Sequence, residues 1–165
     1  MKSLLSLAFA LLTTGSLLAA DATPYTLPQS SDQVVQSKAG ESYRVTVSWP
    51  EGEPPAGGFP VMYLLDGDEN FLMATSILRR LSGTAKAAKQ NGIAPGIIVA
   101  IGYPGESKRD FDYTPKAESG PPETYLDGKP YPPRTYGGAD AFFTFLDKEL
   151  RPAIVKQHKI DRTRQ

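Results

Sequence analysis

The run Val61-Met62-Tyr63-Leu64-Leu65 breaks abruptly into Asp66-Gly67-Asp68-Glu69-Asn70. A short, continuously apolar stretch bounded by turn residues is the pattern of a strand buried on both faces, as in a parallel sheet. Behind it, Phe71, Leu72, Thr75, Leu78 and Leu81 recur at spacings of three and four, and Ile77 widens the stripe. This predicts an amphipathic helix that ends around Ala87 to Asn91, before Gly92. Gly96 to Gly102 is a second apolar strand, so the order strand, helix, strand implies a right-handed parallel crossover. Upstream, Gln33 to Gln36 and Tyr43 to Trp49 are rich in strand formers, the second alternating with period two, and Ala39-Gly40-Glu41 supplies a turn. An antiparallel hairpin is expected there.

The stretch from Pro50 to Pro60, dense in proline and glycine, reads as a surface connection. Tyr103 to Gly138 has no periodicity and is crowded with Pro, Gly and Tyr. A loop of that length in a compact domain is a functional feature or a disordered one, and its aromatic content favours the first. Phe142, Phe143, Leu146, Leu150, Ile154 and Val155 share one face of a final helix, with Pro152 expected to kink its end. Lys159 to Gln165 then leads towards another strand.

The amino terminus changes the domain boundaries. Met1-Lys2, an apolar run from Leu4 to Leu12 and small residues up to Ala20 form the pattern of a cleaved export signal, too short to span a bilayer. Residues 1–20 are therefore expected to be a signal peptide. The remaining 21–165, about 145 residues, is one domain's worth of chain. Cysteine is absent, which excludes disulfides, thiolate metal sites and a cysteine nucleophile. The formal net charge is zero with both signs interspersed, so there is no electrostatic footprint for nucleic acid or for an anionic membrane.

Asp66-Gly67-Asp68 raises three readings: a metal or phosphate site, an anion-stabilising loop, or the start of a helix. In an aspartate-nucleophile phosphatase, Asp66 would attack phosphorus and Asp68 would act as acid and base beside magnesium. Glu69-Asn70 and the lack of a later Asp-Asp pair weigh against it. A calcium loop fails because Phe71 and Ile77 stand where glycine and glutamate are required. The third reading is a helix start, with Asp66 or Asp68 capping the free amides and Glu69 at the positive end of the dipole. Those same amides can hold an anion that develops on a substrate, and Gly67 permits the close backbone approach.

The segments "GFPVMYLLDGDENF", "IVAIGYPGESKRDFDYTP" and "GGADAFFTFLDKELRPAI", in this order, resemble the periplasmic esterase family of α/β-hydrolases, in particular the siderophore esterases of the enterobactin and salmochelin type. The resemblance implies an α/β fold: the N-terminal portion of an α/β-hydrolase, hairpin plus parallel strands with crossover helices. It implies a carboxylic-ester hydrolase that needs no cofactor and no metal. By the family pattern, the backbone N–H of Asp68 belongs to the oxyanion hole and Gly67 shapes its loop. Siderophore-type relatives often carry Asn at position 68, and an aspartate there sets a carboxylate near a developing negative charge unless it turns away.

The family's nucleophile elbow, G-x-S-x-G, is absent: Gly105-Glu106-Ser107-Lys108-Arg109 ends in arginine, and Ser82 and Ser119 lack the first glycine. His158, the single histidine, precedes the point where the elbow belongs and reads as a surface or dipole-complementing residue. The chain is thus expected to stop before its chemistry and to be inactive alone, or else to be a non-catalytic ligand-binding remnant. The elbow strand would lie beside Val61 to Leu65, leaving that strand as an aggregation-prone edge. Lys108, Arg109, Tyr113, Tyr125, Tyr131, Arg134 and Tyr136 set cations among aromatic rings. That suits a small-molecule ester such as an anionic catecholate siderophore. Arg109 and Tyr113, inside "RDFDYTP", are the leading substrate-binding candidates, while Arg79 and Arg80 complement the helix dipole. The location implied is periplasmic or secreted.

Overall fold

The computed structural model describes residues 23–116, 124–131 and 135–165; the expected leader and its cleavage site, Ser119 and Arg134 lie outside these. Four strands form one mixed sheet: β1 (Ser30–Gln36), β2 (Ser42–Ser48), β3 (Val61–Leu64) and β4 (Ile97–Gly102), in spatial order β1-β2-β4-β3. β1 and β2 are the expected hairpin, antiparallel with Ser30 opposite Ser48 and Gln36 opposite Ser42. β4 runs antiparallel to β2 and parallel to β3, which makes β3 to β4 the expected crossover unit.

The sheet separates two apolar layers by residue parity, because successive side chains of a strand point to opposite faces. Val45 and Val47 with Ile97, Val99 and Ile101 face the long carboxyl-terminal helix and its Phe142, Phe145, Leu150 and Ile154. Ile98 and Ala100 face Phe71, Ala74 and Leu78 of α1 (Gly67–Ser82). Each fully buried aliphatic or aromatic side chain here contributes roughly 1.5–3 kcal/mol.

Several expectations are corrected. The predicted helix over 71–91 is two: α1 ends at Ser82, whose hydroxyl donates to the Leu78 carbonyl at 2.8 Å, and α2 (Ala85–Asn91) starts afresh with Thr84 as its cap, accepting from the Ala87 amide at 3.1 Å. On α1, Leu72 and Ile77 point outward. β3 is not buried on both faces: it is the last strand of the sheet among the described residues, and Met62 is 53% exposed. Among the described residues its edge is covered at the start, where Phe59 and Ile160 form a parallel bridge and the Val61 amide donates to the Arg164 carbonyl at 3.0 Å. Residues 159–164 therefore begin to run along β3 on the side away from β4.

The final helix is also unlike the expectation. α4 (Ala139–Phe145) passes through a π-helical turn, Leu146–Leu150, into α5 (Arg151–Gln157), so the irregularity precedes Pro152. Proline at 152 cannot donate to residue 148 and crowds its carbonyl. The wide turn relieves this, with the Arg151 amide reaching back five residues to the Leu146 carbonyl. Phe143 falls outside the buried stripe and is 64% exposed. A short helix, α3 (Arg109–Asp112), stands within the long loop after β4.

Candidate functional site

α1 begins just past the carboxyl end of β3, and its first residue rests on β4. A Cβ on Gly67 would stand 2.9 Å from the Ala100 carbonyl carbon and the Ile101 nitrogen, so only glycine fits. The turn itself is made by Asp66, in the left-handed region at φ 52°, ψ 46°, rather than by the glycine. Aspartate is among the few side chains that tolerate this conformation. The Glu69 and Asn70 amides both reach the Asp66 carbonyl, at 3.2 and 3.1 Å. The amides of Gly67 and Asp68 have no protein acceptor among the described residues. Two adjacent free N–H groups at the positive end of a 16-residue helix are suited to stabilising an oxyanion.

Neither aspartate side chain caps the helix, contrary to the expectation. Asp68 Oδ2 accepts from the Tyr103 amide at 2.7 Å, and Oδ1 accepts from Arg44 Nη1 at 3.2 Å. Gly102 makes room for this: a Cβ there would lie 2.0 Å from Asp68 Oδ2. Arg44 also grips Asp32, through Nε at 2.9 Å and Nη2 at 2.5 Å. Hydrogen bonding to Arg44 holds the Asp32 carboxyl below its ordinary range, and the guanidinium's own pKa is raised by Asp32 and then by Asp68. The Asp68 carboxylate is thus turned onto the end of β4 and paired with a cation, which removes the electrostatic objection to an aspartate at this position. Asp66 Oδ2 lies 3.4 Å from Arg109 Nη1. Because each carboxylate is committed to a different arginine, the pair does not form the shared magnesium cradle of the phosphatase reading.

Tyr113 reaches the same turn. Its hydroxyl accepts from the Asp66 amide at 3.4 Å, while its ring packs on Phe142 at 5.3 Å between centroids. Next to it is a group that sequence reasoning missed. Asp112 is 2% exposed and accepts from the Tyr103 hydroxyl at 3.0 Å. Burial is the main reason that the Asp112 carboxyl is pushed above its ordinary range, and burial likewise raises Tyr43, Tyr103 and Tyr113. The available signal was parity: Tyr43 and Tyr103 occupy core positions, and a hydroxyl carried into a core requires a partner.

The other candidates are elsewhere. Lys108 pairs with Glu41, and Tyr125 stacks on Tyr131 with centroids 3.8 Å apart. Arg79 Nη2 donates to the Pro28 carbonyl at 2.6 Å, tying down the amino-terminal arm rather than serving the helix dipole alone. The exposed Ser107 accepts from the Arg109 amide at 3.3 Å. His158 ends α5 with its ring 5.2 Å from that of Trp49, and burial lowers its pKa, so it is a poor cation for a helix terminus. The carbonyl of the adjoining Lys159 accepts from the Phe59 amide, two residues before β3 and at the opposite end of that strand from Asp66.

A family model described as "Putative esterase" matches residues 37–165. The chain belongs to this esterase family. It is 35% identical over 147 residues to the ferri-bacillibactin esterase BesA of Bacillus subtilis, covering 86% of this chain and 49% of BesA. The siderophore triacetylfusarinine C esterase of Aspergillus fumigatus is 35% identical over 142 residues, 80% of this chain and 43% of that one. The chain thus spans about half the length of these relatives. Among solved structures, the BES protein of Bacillus cereus superposes with a TM-score of 0.75 at 33% identity, over 88% of this chain and 55% of that one. These esterases share the α/β-hydrolase architecture, of which the sheet described above is a part.

Proposed function

We propose that this chain carries the oxyanion-stabilising portion of a serine-type carboxylic-ester hydrolase acting on siderophores. One observation carries the reading: in a member of an esterase family, two free amides, Gly67 and Asp68, open a helix beside a carboxylate that is turned away from them. In ester cleavage a carbonyl oxygen gains negative charge as its carbon becomes tetrahedral, and preorganised N–H donors stabilise that charge. The attacking serine and its base are not among these 165 residues. Arg109, half exposed beside the turn, is the cation for an anionic siderophore ester, and Tyr113 holds the turn from behind. The naming of two relatives for siderophore esters, and the export signal expected at 1–20, support an exported enzyme acting on such a ligand.

The test is an amide-resolved titration of the purified chain with methylphosphonate, a tetrahedral oxyanion mimic, beside an assay with p-nitrophenyl butyrate. Saturable shifts centred on Gly67 and Asp68, with no ester turnover above buffer, are expected. Shifts confined to other amides would refute the oxyanion role, and turnover that survives repurification would refute the division of labour.

A further inference from the structure

The Asp68 carboxylate is itself an anion, carried by a residue whose amide is to hold one. An acidic side chain in the first turn of a helix is ordinarily drawn to the free N–H groups there. Here it is held elsewhere: Oδ2 accepts from the Tyr103 amide at 2.7 Å and Oδ1 from Arg44 Nη1 at 3.2 Å. The strand register brings both anchors together. Arg44 of β2 stands directly opposite Gly102 of β4, and directly opposed residues share a face. The carboxylate fills the space that a side chain at 102 would need, so its neighbour across the sheet is Arg44. One strand further out Val34 is opposite Arg44, which puts Asp32, two residues earlier, on the same face. Asp32 takes the guanidinium's Nε and Nη2, at 2.9 and 2.5 Å, and leaves Nη1 for Asp68. Side chains from β1, β2 and α1 are thus joined in a row across the sheet.

We propose that Arg44 is a positioning residue: from β2 it keeps the Asp68 carboxylate on the end of β4, and so keeps the Gly67 and Asp68 amides open to a substrate's oxyanion. This rests on the oxyanion role of those amides. Without the cation, Oδ1 loses its partner. The Tyr103 amide alone then holds the carboxylate against two free N–H groups and the positive end of a helix dipole. A carboxylate released to that side occupies the amides as an internal competitor. Asp32 acts one step back: its two-pronged grip fixes which edge of the planar guanidinium is presented to α1.

Amide hydrogen exchange in the full chain carrying Arg44→Gln or Arg44→Glu, read beside the methylphosphonate titration, tests this. The expected signature is reciprocal. Tyr103 exchanges about threefold faster in Arg44→Gln, the size a half-exposed ion pair allows, and about tenfold faster in Arg44→Glu, where repulsion is added. Gly67 and Asp68 exchange more slowly, and Val99 in the core is unchanged; a loosened fold would instead speed all four. Methylphosphonate affinity should fall by similar factors. Asp68→Asn keeps an oxygen for the Tyr103 amide but carries no charge, so adding it to either variant should return the affinity to that of Asp68→Asn alone. Unchanged exchange at Tyr103 in both variants would overturn the proposal, as would faster exchange there with undiminished affinity. A fall of equal size with and without Asp68→Asn would overturn it too, since Arg44 would then be attracting the anion directly. If the unsubstituted chain shows no phosphonate response, the oxyanion reading fails by itself, and exchange at Tyr103, Gly67 and Asp68 still decides whether Arg44 holds the carboxylate.

Discussion

Gly102 and Asp68 make a sharp test of how the site is built. In Gly102→Ala the new Cβ would lie 2.0 Å from Asp68 Oδ2 and 2.5 Å from its Cγ, so the carboxylate must leave. The Tyr103 amide then loses its 2.7 Å acceptor. A hydrogen bond to a charged group is worth about 1.5–3 kcal/mol, and the half-exposed Arg44 contact adds at most about 0.5 kcal/mol after screening. Asp68→Ala removes the same bonds by another route and is expected to cost a similar amount. The double variant therefore should cost no more than either single one, giving a coupling energy of about 1.5–3 kcal/mol. Urea unfolding of the four proteins, followed by far-ultraviolet circular dichroism at low micromolar concentration, measures it. Costs that add to within about 0.5 kcal/mol would mean that the two residues act independently and that the carboxylate does not sit on the end of β4.

Three further outcomes follow from the same packing. Asp112 titrates above its ordinary range when folded, so the native state binds more protons than the unfolded chain between the two pKa values; stability should fall as pH rises from about 4 through the native value, and Asp112→Asn should flatten that slope in urea midpoints taken across pH. The buried Tyr63 hydroxyl has no hydrogen-bond partner among the described residues, and the Arg151 guanidinium lies over its ring, 5.5 Å from the centroid. Tyr63→Phe should accordingly be neutral or stabilising by up to about 1 kcal/mol, and a loss of more than that in thermal melting would contradict it. Met62→Lys, on the exposed face of β3, should reduce concentration-dependent self-association in size-exclusion chromatography without lowering the melting temperature.

Much of the architecture could be read from local pattern. β2 alternates with period two, β4 is apolar throughout, and the turn between β1 and β2 sits at Ser37 to Glu41, where Ala39-Gly40-Glu41 points to it. Ser82-Gly83-Thr84 also carried a stop signal, yet the alanine-rich run after it has high helix propensity and masked the break. That β3 ends the sheet among the described residues was expected from the resemblance, whereas the exposed face at Met62 was not legible, because an apolar run does not show what covers it. The site divides in the same way. Gly67 and Asp68 were singled out through the family resemblance, at a helix start that the local pattern also marks. The partners of the Asp68 carboxylate lie 24 and 35 residues away, at Arg44 and Tyr103, beyond any local reading, and so a helix cap was the wrong expectation. Arg109 and Tyr113 were chosen for affinity to a ligand; that their polar ends also meet Asp66 is a contact no local pattern shows.

The wide turn at Leu146–Leu150 has a consequence for how this family can vary. Buried positions along the helix step from Phe142 to Phe145, then five residues on to Leu150, then four to Ile154. Striking out one residue of that five-step would restore an ordinary stripe, so the insertion and Pro152 compensate each other: the extra residue opens the space that the pyrrolidine ring occupies. Either change reversed alone leaves a rotated face or a steric clash, whereas both reversed together leave a plain helix. Homologues should therefore gain or lose the two as a pair.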